Sequence, residues 1–396
     1  MKYDFNEIIE RRGTGAYKYD AWEANGVPED ALPLWVADMD IKAPEAVNAR
    51  IRELTEHGIY GYTGPTEGYY LAVQNWFKSR FDWDIEKNWI VQTPGVVYAL
   101  ATAVRAFTKP GDGVVIQQPV YYPFRNVIVN NDRKLVVNEL IYQDGAYTMN
   151  FEDLEEKLAD ENTKLMILCS PHNPVSRVWT KEELAKVAEL CVKNKVKLVS
   201  DEIHCDFTYG EHVHTPMATI SDEIRDCGVF CTAPSKTFNI AGLQVSNIII
   251  PNREMRHAFR DIMKGEGLGG LNMIGVAACQ AAYEEGAEWL EQLKVHLQGN
   301  IDYINQFVAE KLPEIKVIET QGTYLVWLDV SGLGFKDKVD QNNFIVNQAK
   351  LWLDTGSMFG DAGIGFERIN VAAPRATIVE AMNRLEAAIA RRRESL

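Results

Sequence analysis

Residues 196–204 read Val-Lys-Leu-Val-Ser-Asp-Glu-Ile-His, an apolar run, Val196-Lys197-Leu198-Val199, that breaks into the polar groups Ser200-Asp201-Glu202-Ile203-His204. The same grammar recurs on either side. Upstream, Leu165-Met166-Ile167-Leu168-Cys169 runs into Ser170-Pro171-His172-Asn173-Pro174; downstream, Val229-Phe230-Cys231-Thr232 runs into Ala233-Pro234-Ser235-Lys236-Thr237. Short continuous apolar runs bounded by turn residues suit strands buried on both faces. Between two of them, Thr180 to Asn194 places Leu184, Val187, Ala188 and Cys191 at helical spacing, and Thr180 with Glu183 makes a capping-box signature. Strand and helix patterns alternate from about residue 90 to 250, with further runs at Val114-Val115-Ile116 and Asn247-Ile248-Ile249-Ile250. The pattern predicts an α/β fold with a mostly parallel central sheet flanked by helices.

The last hundred or so residues read differently. Their spacing predicts a helix over 287–311, a strand at Tyr324-Leu325-Val326-Trp327-Leu328 and a final helix over 376–393, together a smaller α+β unit. Residues 1–50, rich in turns and aromatics, carry no core pattern of their own and are expected to pack on that unit or on a partner subunit. The expected partition is a large domain at 51–288 and a small domain made from 1–50 and 289–396.

The chain has 396 residues, with 41 Lys and Arg against 56 Asp and Glu, a formal charge of -15. An acidic surface without a dense basic stripe argues against nucleic acid as a partner. The six cysteines at 169, 191, 205, 227, 231 and 279 show no CxxC or framework spacing, which suits a reducing compartment. The start, Met1-Lys2-Tyr3-Asp4-Phe5-Asn6-Glu7, has no apolar signal region, and no apolar run approaches the roughly 18 residues of a membrane span. A cytoplasmic protein without membrane attachment is expected.

In open α/β sheets, ligands bind beyond the carboxyl ends of the strands. The three runs deliver there an amide, Asn173, a carboxylate, Asp201, and an amine, Lys236. Pyridoxal phosphate requires this set: an amine to bond its aldehyde, a carboxylate to keep the pyridine nitrogen protonated, and a donor for its phenolate oxygen. Ser235 or nearby donors would help to hold the phosphate. Each residue alone has a simpler reading, since Asn-Pro marks turns and an Asp after a strand caps helices; their order, each at a strand end, favours the site. Thr93-Pro94-Gly95-Val96-Val97 follows the run Trp89-Ile90-Val91 and precedes a helical pattern, so the N–H groups of Gly95, Val96 and Val97 can meet a phosphate, or the segment is a simple strand-to-helix turn. Tyr121, in Pro119-Val120-Tyr121-Tyr122-Pro123, can stack on a flat ring or serve as ordinary core. Arg368, in Phe366-Glu367-Arg368-Ile369-Asn370, is a fork for a substrate carboxylate or an exposed arginine beginning a strand. His204, Cys205, His212, His214, Cys227 and Cys231 cluster in sequence without a recognised zinc spacing, so no metal is expected and half-buried or surface histidines are the simpler account.

With these residues in place, the sequence resembles the fold-type I pyridoxal-phosphate enzymes, and within them the cystathionine β-lyase subgroup, MalY/PatB type, of the aminotransferase-like proteins. The resemblance spans nearly the whole chain: Leu34-Trp35-Val36-Ala37-Asp38-Met39-Asp40, Tyr60-Gly61-Tyr62, Pro171-His172-Asn173-Pro174, Ser200-Asp201-Glu202-Ile203-His204, Ala233-Pro234-Ser235-Lys236-Thr237-Phe238-Asn239 and Arg368-Ile369-Asn370. It implies that Lys236 bonds the cofactor, Asp201 pairs with the ring nitrogen, Asn173 contacts the ring oxygen, Tyr121 stacks on the ring and Arg368 grips the α-carboxylate. It also implies that Val36 and Ala37 wall the substrate side and that Tyr62, or Tyr60, reaches the neighbouring subunit's phosphate in a homodimer with shared active sites. Two departures stand out. Ser176 replaces the glycine usual in Asn-Pro-His-Asn-Pro-Thr/Val-Gly-Arg, which is expected to alter that turn, and His204 stands near the ring oxygen where aspartate-type aminotransferases carry a tyrosine.

The implied activity is a carbon–sulfur β-lyase acting on L-cystathionine or related cysteine S-conjugates to give pyruvate, ammonia and a thiol. Aminotransfer of a small amino acid shares the early steps, and no single residue separates the two. A regulatory protein that binds the cofactor and acts through a surface is the reading from another class; no partner-binding motif supports it.

Overall fold

The computed structural model describes residues 2–395. Its strands are, in chain order, β1 (Leu32–Pro33), β2 (Ile90–Thr93), β3 (Gly113–Gln118), β4 (Lys134–Glu139), β5 (Ile141–Gln143), β6 (Ala146–Thr148), β7 (Thr163–Cys169), β8 (Lys197–Asp201), β9 (Gly228–Thr232), β10 (Ser246–Ile249), β11 (Lys316–Val317), β12 (Leu325–Asp329), β13 (Leu351–Trp352), β14 (Asp354–Thr355) and β15 (Phe366–Asn370). Seven of them form the central sheet in the order β2-β10-β9-β8-β7-β3-β4. All pairs are parallel except the two that β10 makes.

The helix Lys181–Lys193 connects β7 to β8, and its capping box forms as the sequence indicated: Thr180 N–H donates to Glu183 Oε2 (2.8 Å) and Glu183 N–H to Thr180 Oγ1 (3.2 Å). A crossover of this size is what lets consecutive strands run parallel. The stretch between β9 and β10 differs. It holds only the short helical turns Pro234–Thr237 and Ala241–Leu243, so the chain turns back at the same end of the sheet and β10 runs antiparallel. The Lys236 turn therefore stays on the carboxyl rim instead of crossing a face of the sheet.

Register sets that rim. Cys169 of β7 pairs with Asp201 of β8, and Asp201 with Cys231 of β9, so the three strands finish in one row. The side chains behind the row are closed off from water, with Leu165, Leu168, Leu198, Val199 and Phe230 all at 0 % exposure.

A second sheet, antiparallel in the order β11-β12-β15-β14, lies in the carboxyl-terminal third with the helices Ala287–Lys311 and Arg375–Ser395. The amino-terminal segment is stitched to it: β1 pairs with β13, Asn370 N–H donates to Leu34 O and Asp40 N–H to Ala372 O, both at 2.9 Å. Of the two destinations expected for residues 1–50, this segment takes the carboxyl-terminal unit. The expected partition points after residues 50 and 288 both fall inside helices, Glu45–His57 and Ala287–Lys311. Among the described residues no helix is long and apolar enough to cross a membrane.

Leu198 lies in the middle of the sheet between Met166 and Gly228. Leu198→Ala removes buried methyl groups where the neighbouring strands cannot collapse, and we expect a loss of about 2–5 kcal/mol. The midpoint of guanidinium unfolding, with the slope checked for constancy, measures it.

Candidate active site

Beyond the row of strand ends opens a cleft of about 350 Å³. Twelve of the thirteen residues expected at the site line it: Asn173, Asp201, His204, Ser235 and Lys236 from the β7, β8 and β9 ends, Gly95, Val96, Val97 and Tyr121 from the neighbouring turns, and Val36, Ala37 and Arg368 from the opposite wall. Tyr62 is not brought to this cleft. It is fully exposed on the segment before the helix Glu67–Phe81, with Tyr60 also exposed beside it.

Lys236 stands in the short helix Pro234–Thr237, and its Nζ donates to Ala37 O at 2.7 Å. Enclosure lowers its amine to about 8, opposed by the charges of Asp38 and Asp201 and reinforced by Arg368. Asp201 is buried at the end of β8 and accepts one hydrogen bond, from Ile203 N–H at 3.1 Å. It has no ion-pair partner among the described residues, and burial raises it to about 7. A carboxylate held this way is stabilised by an incoming cationic N–H group.

Asn173 Oδ1 accepts from Arg368 Nη1 at 2.9 Å, and Asn173 O accepts from Tyr121 N–H at 3.0 Å, so this amide ties the carboxyl-terminal wall to the aromatic turn. The loop survives the loss of glycine: Ser176 takes the left-handed conformation itself (φ 60°), and its hydroxyl contacts Thr323 Oγ1 (3.3 Å) and the carbonyls of Pro174 and Leu325. The expected change in this turn is therefore absorbed by side-chain hydrogen bonds. Tyr121 packs its ring against Tyr122 and Phe124, and burial pushes its hydroxyl well above the usual range.

Gly95 caps the helix Val96–Phe107, with open space where a Cβ would point. The first-turn N–H groups of a helix have no acceptor within it and carry the positive end of its dipole, a ready anion site. Ser235 and Ser246 line the same cleft.

Arg368 loses one of its two readings. It does not begin a strand or meet solvent: it lies mid-strand in β15, 2 % exposed, opposite Trp327 and Asp354. Its guanidinium bonds Asn173, Trp35 O (2.7 Å) and Asp354 Oδ2. The histidines need the same correction. His204 and His214 are buried, His214 Nε2 meeting Glu202 Oε2 at 2.9 Å, while His204 Nδ1 has no partner. Burial, with Lys236 and Arg368 nearby, holds His204 well below its usual range, so it presents a neutral ring to the cleft.

Sequence reasoning missed the groups that pin the substrate-side strap, residues 35–41. Asn370 Nδ2 donates to Val36 O (2.7 Å) and Asp38 O (2.6 Å), and Tyr324 OH to Ala37 O (2.9 Å). Asn239 grips Met39 N–H, Met39 O and Ile41 O at 2.7–2.9 Å. The available signal was position, since Asn239 closely follows Lys236 and Asn370 closely follows Arg368. Behind the strap, the fully buried Lys18 pairs with Asp40 (2.8 Å), and Arg11 with Asp38 and Asp40 (both 2.7 Å).

The aminotransferase class I and II profile matches residues 34–385, and the chain belongs to that family. Among its relatives, the cystathionine β-lyase PatB of Bacillus subtilis is 45% identical over 387 residues, covering 98% of this chain and 100% of PatB. Protein MalY of Escherichia coli is 32% identical, covering 95% of this chain and 96% of MalY. Of solved structures, cystalysin from Treponema denticola, which contains pyridoxal 5'-phosphate, superposes with a TM-score of 0.95 at 42% identity, covering 99% of this chain and all of that one. The pyridoxal-phosphate-bound C–S lyase from Staphylococcus hominis gives 0.91 at 33%, with 98% of each chain covered.

Asp201 supplies a pH signature. Its raised folded value means the native state keeps a proton that the unfolded chain sheds near the ordinary carboxyl value of 3.8, so native stability falls as pH rises from about 4 to 7 and levels off above. In protein dialysed free of small molecules, Asp201→Asn should match the wild type near pH 4 and exceed it by roughly 2–4 kcal/mol at pH 8. Denaturant midpoints across that range check it; parallel curves sink it.

Proposed function

We propose that this chain is a pyridoxal-phosphate-dependent carbon–sulfur β-lyase that cleaves L-cystathionine, or related cysteine S-conjugates, to pyruvate, ammonia and a thiol. The observation that carries the reading is the convergence of a lowered amine, an unpaired buried carboxylate and a buried guanidinium in one cleft, in a chain 45% identical to a cystathionine β-lyase. The donor set suits the cofactor: Asp201 awaits a cationic N–H, and the helix start at Gly95–Val97, with Ser235, offers N–H and hydroxyl groups to a phosphate. When bound, pyridoxal phosphate supplies an electron sink that acidifies the substrate's α-carbon.

The chain's residues do the rest. Arg368 and Asn173 hold the α-carboxylate, with Val36 and Ala37 as the wall behind it. With the cofactor bound, Tyr121 would stack on its ring, Asn173 and His204 would serve its oxygen, and Asp201 would keep a positive charge at its nitrogen. Lys236 Nζ, near neutrality in its proton affinity, takes the α-proton and returns it to the departing sulfur. Water then replaces the amino group, so that cystathionine and one water yield homocysteine, pyruvate and ammonia.

We place the enzyme in the cytoplasm, a compartment that suits six free thiols. The exposed run Ile59, Tyr60 and Tyr62 supports a homodimer in which Tyr62 completes the neighbouring subunit's phosphate site. Residues 51–288 are read as the cofactor domain and 1–50 with 289–396 as the small domain.

With L-cystathionine and no keto acid, pyruvate, ammonia and homocysteine should appear in equal amounts; no pyruvate refutes the lyase, and turnover that requires a keto acid points to aminotransfer instead. Lys236→Ala should abolish the cofactor's visible absorbance shift on binding and lower turnover by at least about a thousandfold. Retention of both removes Lys236 from its role.

A further inference from the structure

Arg368 has five N–H donors, and in this structure their use is uneven. Nη2 spends both of its hydrogens, on Trp35 O (2.7 Å) and Asp354 Oδ2, and Nη1 spends one on Asn173 Oδ1 (2.9 Å). Nε is buried without a partner. A planar guanidinium offers a carboxylate two side-by-side edges, Nη1 with Nη2 and Nη2 with Nε, and each edge uses a hydrogen of Nη2. The remaining free hydrogens, on Nη1 and Nε, point to different edges and cannot together clasp one carboxylate.

Asp354 is itself a carboxylate, 3 % exposed, and it lines the substrate cleft. β14 brings it opposite Arg368 in the antiparallel register, so its approach is built into the sheet. Its surroundings make it a poor permanent home for charge: burial pushes its protonation upward, against the pull of Arg368. Tyr122 and the buried Glu367 also face it, and Arg368 is the cation that holds it.

We propose that Asp354 is a specificity-determining residue that occupies the seat of the substrate's α-carboxylate on Arg368 and must yield it when substrate enters. It rests on Arg368 as the carboxylate-binding group. The exchange keeps the arginine paired and correctly aimed between turnovers. It also places a negative charge beside the entering carboxylate, which disfavours amino acids whose side chain carries a net negative charge and spares net-neutral side chains, the zwitterionic distal arm of cystathionine among them.

The test uses holoenzyme and L-alanine, an amino acid with no leaving group, titrated against the absorbance of the bound cofactor. Asp354→Asn keeps the shape and an acceptor for Nη2 but removes the competing charge, so alanine should bind about tenfold more tightly than to wild type. In an Arg368→Gln background, where no cation is left to compete for, the same substitution should gain much less than tenfold, closing a double-mutant cycle. If Asp354 merely props up the strand, Asp354→Asn weakens alanine binding or leaves it unchanged, and either outcome overturns the proposal. Should the amide variant not fold, Asp354→Ser gives the same comparison. Failure of the lyase reading shows separately, as no pyruvate from cystathionine beside an intact alanine titration.

Discussion

Asp201 pairs in register with Cys169 on one side and Cys231 on the other, and this row fixes where three chains of backbone leave the sheet. Strand spacing then decides the rest. Neighbouring parallel strands lie about 4.8 Å apart, so residues a few positions beyond the row, Asn173 and Lys236, are delivered to flank the carboxylate without any long-range search. A one-residue slip of β8 would turn Asp201 to the other face of the sheet and exchange it for Ser200 or Glu202. Because both faces of β8 are packed, such a slip would also force Leu198 and Val199 into each other's filled cores, which is why the register holds.

The opposite wall is secured by polar side chains as well as by the buried Trp35, Met39 and Ile41. Asn239 and Asn370 clamp the strap at residues 35–41 from two directions, one reaching from the lysine turn and the other from the arginine strand. Amides suit this work because each offers donors and an acceptor to an extended backbone that has no sheet partner. The same strap accepts Lys236 and Arg368 through the carbonyls of Ala37 and Trp35, so backbone atoms of one short segment touch both ionic groups of the cleft.

The fold was legible where local pattern and tertiary structure agree. The apolar runs, the capped helix Lys181–Lys193 and the helix Ala287–Lys311 all follow from period and capping residues, and the polar groups after each run marked the rim. The direction of β10 was not legible, because periodicity carries no direction; only the lack of a crossover helix after Lys236 signals it. The burial of Arg368 was not legible either. An arginine in a charged pair could be read as exposed, yet it is buried because its partners come from elsewhere in the chain: Asp354, Asn173 and Trp35 O bond Arg368, and Gln341 bonds the neighbouring Glu367, which burial raises to about 8. Partners on other elements, from 14 to 333 positions away, leave no local trace, and the same is true of the clamp on the strap.

The pairing of β1 with β13 has a bearing on how the polypeptide acquires its shape during synthesis. Leu32 and Pro33 are synthesised long before Leu351 and Trp352, so β1 waits for its strand partner while the sheet strands between them are made. The central sheet, whose contacts lie between residues 90 and 249, can form before that. The nascent chain therefore carries a finished lysine rim beside an unformed wall, and closing that loop is a late, high-contact-order event.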